Sequence, residues 1–431
     1  MRMMKHRLGI LGVMFLFLCG GCGGPKKEVV RVTNFMTDPT LIQILSDRLK
    51  AIEKADGTIE IRFESIPYNT YQDKLLTQAA AGSVPDVVFV EVNNFVALQS
   101  RGLFEDLTPY LQREGVDLGD YEPTLVHRFT REGKLYALPQ DIAPEGLVYY
   151  NKRLFREAGV KEPTGDWSWP EPFLTLCRKL TRQDGEGRVT HFAFSEAYPL
   201  QIGQFVFSAG ADWVDDPAQP KRCTIDSAAF QKAARFRWDL IHTYHVSPSP
   251  TQIQNLSGVA GVEEMFASGR LAMMVSGVWH TPKFLLRKDL EFDVVPFPKG
   301  PGGKAGWSSG GSGYAICSAS KHKETAWRLI RAILSEESVS TMAATGFLQP
   351  ALRKLARSDV FLKAPGAAHK SVLLKMGADS HFWPFDPRWG EIQYGMIWPA
   401  LDPVWNGDRR PEEVLPDLCR RVNAKYYDGR K

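Results

Sequence analysis

Between Glu28 and Val92 the chain alternates between two hydrophobic periods, and that alternation restricts its fold more than anything else in its 431 residues. "EVVRVTNF" (28–35) alternates apolar with polar residues, as a strand does. "DPTLIQILSDRLKAIEKADG" then sets Leu41, Ile44, Leu45, Leu49 and Ile52 at helical spacing, and Gly57 supplies the stop. A second strand, "IEIRFESI", a second helix, "YQDKLLTQAAAG", and an apolar strand, "PDVVFVEV", follow without pause. Strands alternating with helices over such short connections predict an α/β fold, a parallel sheet with helices on both faces. Sheets of this kind bind ligands at the carboxyl ends of their strands.

The same grammar returns later with longer helices. "SAAFQKAARFRWDLIHTY" places Phe230, Ala233, Ala234, Trp238 and Ile241 on one stripe. "VEEMFASGRLAMMVSGVW" (262–279) reads as a helix stopped at Gly269, a short buried strand, and a tryptophan just past its end. "EFDVVPFP" and "SGYAICSAS" are further strands, with the glycine-rich "PFPKGPGGKAGWSSGG" expected as a loop between them. From "ETAWRLIRAILSEESV" onward the chain reads as largely helical, and no solenoid repeat is visible. At about 100–200 residues per domain, two domains are expected.

The N-terminus carries a different message. Arg2, Lys5 and Arg7 precede a twelve-residue apolar run, Leu8 to Cys19. That is too short to span a bilayer, which takes about 20 residues, and it has the layout of an export signal over 1–21. Gly20, Gly21 and Cys22 resemble the lipobox of bacterial lipoproteins, with Cys19 standing where a leucine-like residue is usual. The resemblance implies a lipid on Cys22 and a membrane anchor with a linker over 22–27. Without residues 1–21 the chain loses three positive charges and no negative ones, so its formal +4 becomes +1. A near-neutral chain makes no electrostatic case for nucleic acid. Cys177, Cys223, Cys317 and Cys419 are scattered without zinc-type spacing and are open to either disulfides or buried thiols.

Other catalytic and metal signatures fail on context. "GWSSG" satisfies the pattern around a nucleophilic serine at Ser308, but a strand follows it where the nucleophile elbow needs a helix. His242 and His245 lack a nearby third ligand, "DGEG" (184–187) is shorter than a calcium loop, and Lys304 lacks the P-loop glycines. No enzyme, cofactor or metal is expected.

Six segments in order carry a family likeness: "AAAGSVPDVVFVEVNNF", "GKLYALPQDIAPEGLVYYNK", "LTRQDGEGRVTHFAFS", "MFASGRLAMMVSGVW", "GGSGYAIC" and "ETAWRLIRAIL". With them the chain resembles the extracellular solute-binding proteins of bacterial ABC importers, in the branch that captures sugars and oligosaccharides. The resemblance implies a two-lobed periplasmic-binding-protein-like fold with hinge crossings and a central ligand cleft. Lobe one would comprise 28–140 plus 292–336, and lobe two 141–291 plus 337–431. It also implies an exported, lipid-anchored monomer at the periplasmic or cell-surface side that delivers its ligand to permease subunits. A surface lipoprotein that binds carbohydrate for sensing and a carbohydrate-active hydrolase are the alternatives.

A sugar offers fans of hydroxyls and apolar ring faces, so its site needs carboxylates or amides for the first and aromatic rings for the second. At strand ends and turns those types are Glu91, Asn93 and Asn94 after "DVVFVEV", and Asp141 at the first crossing, with Glu145 as its neighbour. The likeness adds Glu196 and Tyr198 in "FAFSEAYPL" and Trp279 in "SGVWH". Trp307, Gly310 and Gly311 in "GWSSGGSG", and Trp383 in "HFWPFDPRW", complete the set. The mix favours a neutral sugar; a polyamine or peptide would call for more carboxylates. Tyr149 and Tyr150 in "LVYY" read as core.

Overall fold

The computed structural model describes residues 27–198, 202–258 and 261–429. The export signal expected over 1–21 and the lipidation site Cys22 lie outside the described residues. Among the described residues no helix is long and apolar enough to cross a membrane.

The first five elements form as their periods require. Strand β1 (Glu28–Asn34) leads to a helix (Pro39–Asp56), β2 (Ile59–Ser65), a second helix (Tyr68–Ala80) and β3 (Val87–Glu91). β1 pairs in parallel with β2 on one side and β3 on the other. The first helix starts because the Asp38 carboxylate accepts from the backbone N–H groups of Thr40 and Leu41, and it ends because Gly57 takes φ 68°. It buries Leu41, Leu45, Leu49 and Ile52 against the sheet.

A short hairpin, β4 (Thr130–Arg131) with β5 (Lys134–Leu135), precedes β6 (Leu138–Pro144). The chain then crosses to a second sheet through Glu145 and Gly146. That sheet holds β7 (Leu147–Asn151), β8 (Arg182–Gln183), β9 (Val189–Glu196), β10 (Leu271–Ser276) and β11 (Phe292–Pro296), in the order β11-β7-β10-β9-β8. It then returns along β12 (Trp307–Ile316), and β13 (Gln349–Pro350) and β14 (Ser380–His381) complete the first sheet. The first sheet runs β13-β6-β12-β3-β1-β2, with β14 beside the start of β12. The crossing strands are tied together where they leave the sheet, as the Glu145 backbone N–H donates to the Ser308 carbonyl at 2.9 Å.

Both halves have aromatic cores. Phe95 meets Phe129 edge-on at 5.3 Å in the first, and Phe173 meets Phe194 edge-on at 5.0 Å in the second. Tyr149 and Tyr150 are fully buried, as their apolar setting suggested. Rings of this size bury roughly 150–250 Å² each and dominate core energetics.

Three expectations need correction. Residues 292–296, assigned above to lobe one, form β11 and pair antiparallel with β7 in the second sheet, so the return crossing lies between Pro296 and Trp307. Residues 337–431 do not all follow lobe two: β13 and β14 extend the first sheet, because β6 and β12 each leave an edge that they complete. The expected glycine loop ends early, at Trp307. From there the glycines run inside β12, buried between β3 and β6, where a side chain at Gly311 or Gly313 would strike the backbone of β6. The C-terminal helices (Trp398–Asn406 and Pro411–Val422) pack on the helix Ala228–His242 of the second half.

All four later cysteines are buried thiols. The "DGEG" segment is the tight turn between β8 and β9, where the Asp184 carboxylate accepts from the backbone N–H groups of Glu186 and Arg188. His242 and His245 each bond a backbone carbonyl, those of Trp405 and Ile241. Ser308 sits within β12, 3 % exposed, and its N–H donates to the Gln204 side chain, so no elbow exists there.

Candidate ligand-binding site

Between the two sheets lies a cavity of about 640 Å³, a volume that suits a small solute. One wall consists of strand ends of the first sheet. Glu91 closes β3 and caps the following helix (Val92–Gln99), accepting from the Asn93 backbone N–H at 2.9 Å. Asn93 donates its side-chain amide to Glu91 at 2.9 Å, and its carbonyl oxygen accepts from the Trp383 backbone N–H at 3.0 Å. Arg128, behind this wall, donates to the Trp383 carbonyl at 2.5 Å. Asn93 and Arg128 therefore hold the segment that carries the Trp383 ring into the cleft.

Asp141 faces the same space from β6, 8 % exposed, and accepts from the Gln140 amide at 3.0 Å. Glu145, Gly310 and Gly311 line it beside the crossings. Gly310 has a steric reason to be glycine: a Cβ there would stand 3.0 Å from an oxygen of Glu91 and 3.6 Å from one of Glu145.

The opposite wall belongs to the second half. β10 ends at Ser276, and Gly277 follows because a Cβ there would overlap the Trp279 ring at 1.8 Å. Tyr149 fixes this turn from beneath, its hydroxyl 3.1 Å from the Gly277 carbonyl and 2.9 Å from the Thr281 hydroxyl. Trp279 Nε1 donates to the Tyr198 hydroxyl at 3.2 Å, with the two rings stacked at 6.4 Å between centroids. His280 lies 3.2 Å from the same hydroxyl.

Burial sets the electrostatics. It pushes the Glu91 carboxyl up to about 8, assisted by the Glu145 charge and opposed by the Asn93 N–H and Arg128. Burial raises Asp141 to about 7 against the Gln140 hydrogen bond, and raises Glu145 to about 7. His280 is driven down to about 3, first by burial and then by Lys283, and is neutral.

Seven of the ten candidates named in the sequence line the cavity: Glu91, Asn93, Asp141, Tyr198, Trp279, Gly311 and Trp383. Three do not. Asn94 stands one step back and donates to the Tyr68 hydroxyl at 3.0 Å. Glu196 is buried in an ion pair with Arg237 at 3.0 Å, because the helix Ala228–His242 delivers a guanidinium to the end of β9. Trp307 is 4 % exposed, its indole N–H donating to the Met376 carbonyl at 2.9 Å. The cleft also contains rings and charges that the sequence reading missed, notably Phe35, Asp38, Tyr68, Glu263, Tyr394 and Trp398. Phe35 and Tyr68 follow the ends of β1 and β2, so the strand-end rule applied to every strand would have found them.

Residues 37–339 match the family described as bacterial extracellular solute-binding protein. The chain belongs to that family. Members of it bind solutes and are not enzymes. This solute-binding protein is 22% identical over 390 residues to the galactooligosaccharide-binding protein of Bacillus subtilis (strain 168), covering 89% of this chain and 87% of that one. It is 22% identical over 414 residues to the diacetylchitobiose binding protein of Streptomyces coelicolor, covering 90% and 91%. Its fold matches an ABC substrate-binding protein of Listeria monocytogenes solved in complex with cycloalternan, with TM-score 0.82 and 22% identity, over 93% of this chain and 99% of that one.

Proposed function

We propose that this solute-binding protein captures a sugar or oligosaccharide outside the cytoplasmic membrane and delivers it to the permease of an ABC importer. The observation that carries this reading is the composition of the cleft, where rings from both walls (Tyr68 and Trp383 against Tyr198 and Trp279) frame carboxylates and an amide. Rings cover the apolar faces of a pyranose, and Glu91, Asp141 and Asn93 provide acceptors and donors for its hydroxyls. The sugar-binding relatives point the same way. A ligand that touches both walls favours the closed arrangement over the open one by its differential affinity, which gives a transporter a state to recognise.

A thermal-shift screen against mono- and oligosaccharides tests this, with short peptides as controls. Ligand at 100 times its Kd stabilises the fold by about 2.7 kcal/mol. A shift with a sugar, and none with peptides, is the expected result; shifts with peptides alone would overturn the carbohydrate reading.

The anchor is part of the same proposal. Lipid on Cys22 would keep the protein at the membrane, since two or more acyl chains give stable attachment. Cys22→Ser is expected to move the protein to the soluble fraction, and unchanged membrane retention would contradict lipidation at that residue.

A further inference from the structure

The cleft gathers more carboxyl groups than a neutral ligand uses. Five carboxylates line it, Asp38, Glu91, Asp141, Glu145 and Glu263, against one lysine, Lys283, and the neutral His280. Lys283 acts on Glu263. Two of the five stand together, because Glu91 and Glu145 flank Gly310, although one ends β3 and the other follows β6. Glu91 receives Asn93. Glu145 accepts no hydrogen bond from any described residue, although it lines the cavity. The other groups facing this pair are Arg128, which acts on Glu91 from behind, and the hydroxyls of Tyr68, Tyr394 and Tyr198. Trp398 lines the same cavity with its indole N–H buried and unpartnered.

A ligand hydroxyl placed between Glu91 and Glu145 has one proton to give and leaves two acidic groups facing each other. An ammonium has three donors and a full positive charge, and hydrogen bonds from ionised donors to carboxylates are roughly twice as strong as neutral ones. The rings around the pair need a partner with apolar faces, which a saccharide ring has and a bare aliphatic amine lacks.

We infer that the cleft takes a cationic amino sugar, a saccharide with a free protonated amine, and that the ammonium sits between Glu91 and Glu145. The Trp398 N–H donates to an oxygen of the same ligand. The inference rests on the carbohydrate reading and narrows it.

Calorimetric titration of the purified protein at pH 7 tests it with three matched disaccharides: a β-1,4-linked glucosamine dimer, its N-acetylated form, and the corresponding glucose dimer. Spermidine forms a fourth arm. The expected result is that the free amine binds at least tenfold tighter than the other two sugars. Glu145→Gln, which removes no hydrogen bond of the fold, should abolish that preference, and Glu91→Gln should reduce it. Neutral sugars binding as tightly as the amine, or a preference that survives both substitutions, would overturn the inference and leave the carbohydrate reading standing. Spermidine binding as tightly as the amino sugar would overturn the saccharide part. No heat with any sugar would overturn both readings.

Discussion

Glu91 and Glu196 occupy equivalent places, each the last residue of a strand, one in each sheet, yet only Glu91 faces the cleft. At Glu196 the helix Ala228–His242 supplies Arg237 at 3.0 Å, and the guanidinium is stacked 4.0 Å over the Trp405 ring. At Glu91 the nearest donors are the neutral groups of Asn93, and Arg128 acts on it only from behind, with its hydrogen bond given to the Trp383 carbonyl. A strand end therefore proposes a position, while the next layer of packing decides whether a carboxylate is consumed by the fold or left for a ligand. Trp307 and Trp279 repeat the lesson: the first spends its N–H on Met376 inside the molecule, the second on Tyr198 at the cavity surface.

The sharpest way to break this comparison is to remove the partner that consumes Glu196. Arg237→Ala leaves a buried carboxylate unpaired, which costs about 3–5 kcal/mol. Urea unfolding should show a loss of that order, with ligand affinity retained by the folded fraction; a weakened ligand with unchanged stability would place Glu196 in the site after all. The tryptophans give the next contrast. Trp307→Ala should destabilise by about 3–5 kcal/mol, as deletion of a buried ring does. Trp279→Ala should leave the unfolding midpoint nearly unchanged while weakening the ligand at least about tenfold, as loss of an aromatic anchor does. The reverse pattern in the same two assays would exchange their roles.

Proton linkage separates the two regions by a smaller effect. Glu91, Asp141 and Glu145 titrate in the folded protein at about 8, 7 and 7, above the ordinary values near 4.3 for Glu and 3.9 for Asp. Between those values the folded state holds protons that the unfolded chain has released. Their contribution to stability is therefore complete below about pH 4 and is lost as pH rises through 7 and 8. Glu91→Gln keeps a neutral side chain at every pH, so the melting temperature of the ligand-free parent, measured relative to this variant, should fall between pH 5 and pH 8.5. A constant difference would show that Glu91 is solvated and ordinary.

Much of the frame was legible because it rests on local periods. The βαβαβ start, Gly57 as helix stop and the buried β10 with Trp279 past its end all follow from spacing within a dozen residues. Sheet membership was less legible: β11 has an apolar run that suits either sheet, and only pairing with β7 assigns it. In the site, Glu91, Asn93 and Asp141 followed from residue type at strand ends and turns, and Tyr198 and Trp279 from the family likeness. Glu196 and Trp307 misled because the partners that consume them, Arg237 and Met376, lie 41 and 69 residues away in sequence. Tyr394 and Trp398 had no local signal, since they reach the cleft on a C-terminal segment that includes a π-helical turn (Gln393–Ile397).

The central claim is that the space between the sheets holds a carbohydrate and releases it unchanged. Isothermal titration of the purified protein with the sugar that most stabilises it, followed by analysis of the recovered sugar, measures this directly. Saturable binding of one sugar per chain, at least about tenfold weaker in Trp279→Ala, and intact sugar afterward are expected. Affinity unchanged in both Trp279→Ala and Glu91→Gln, or recovery of cleaved sugar, would contradict it.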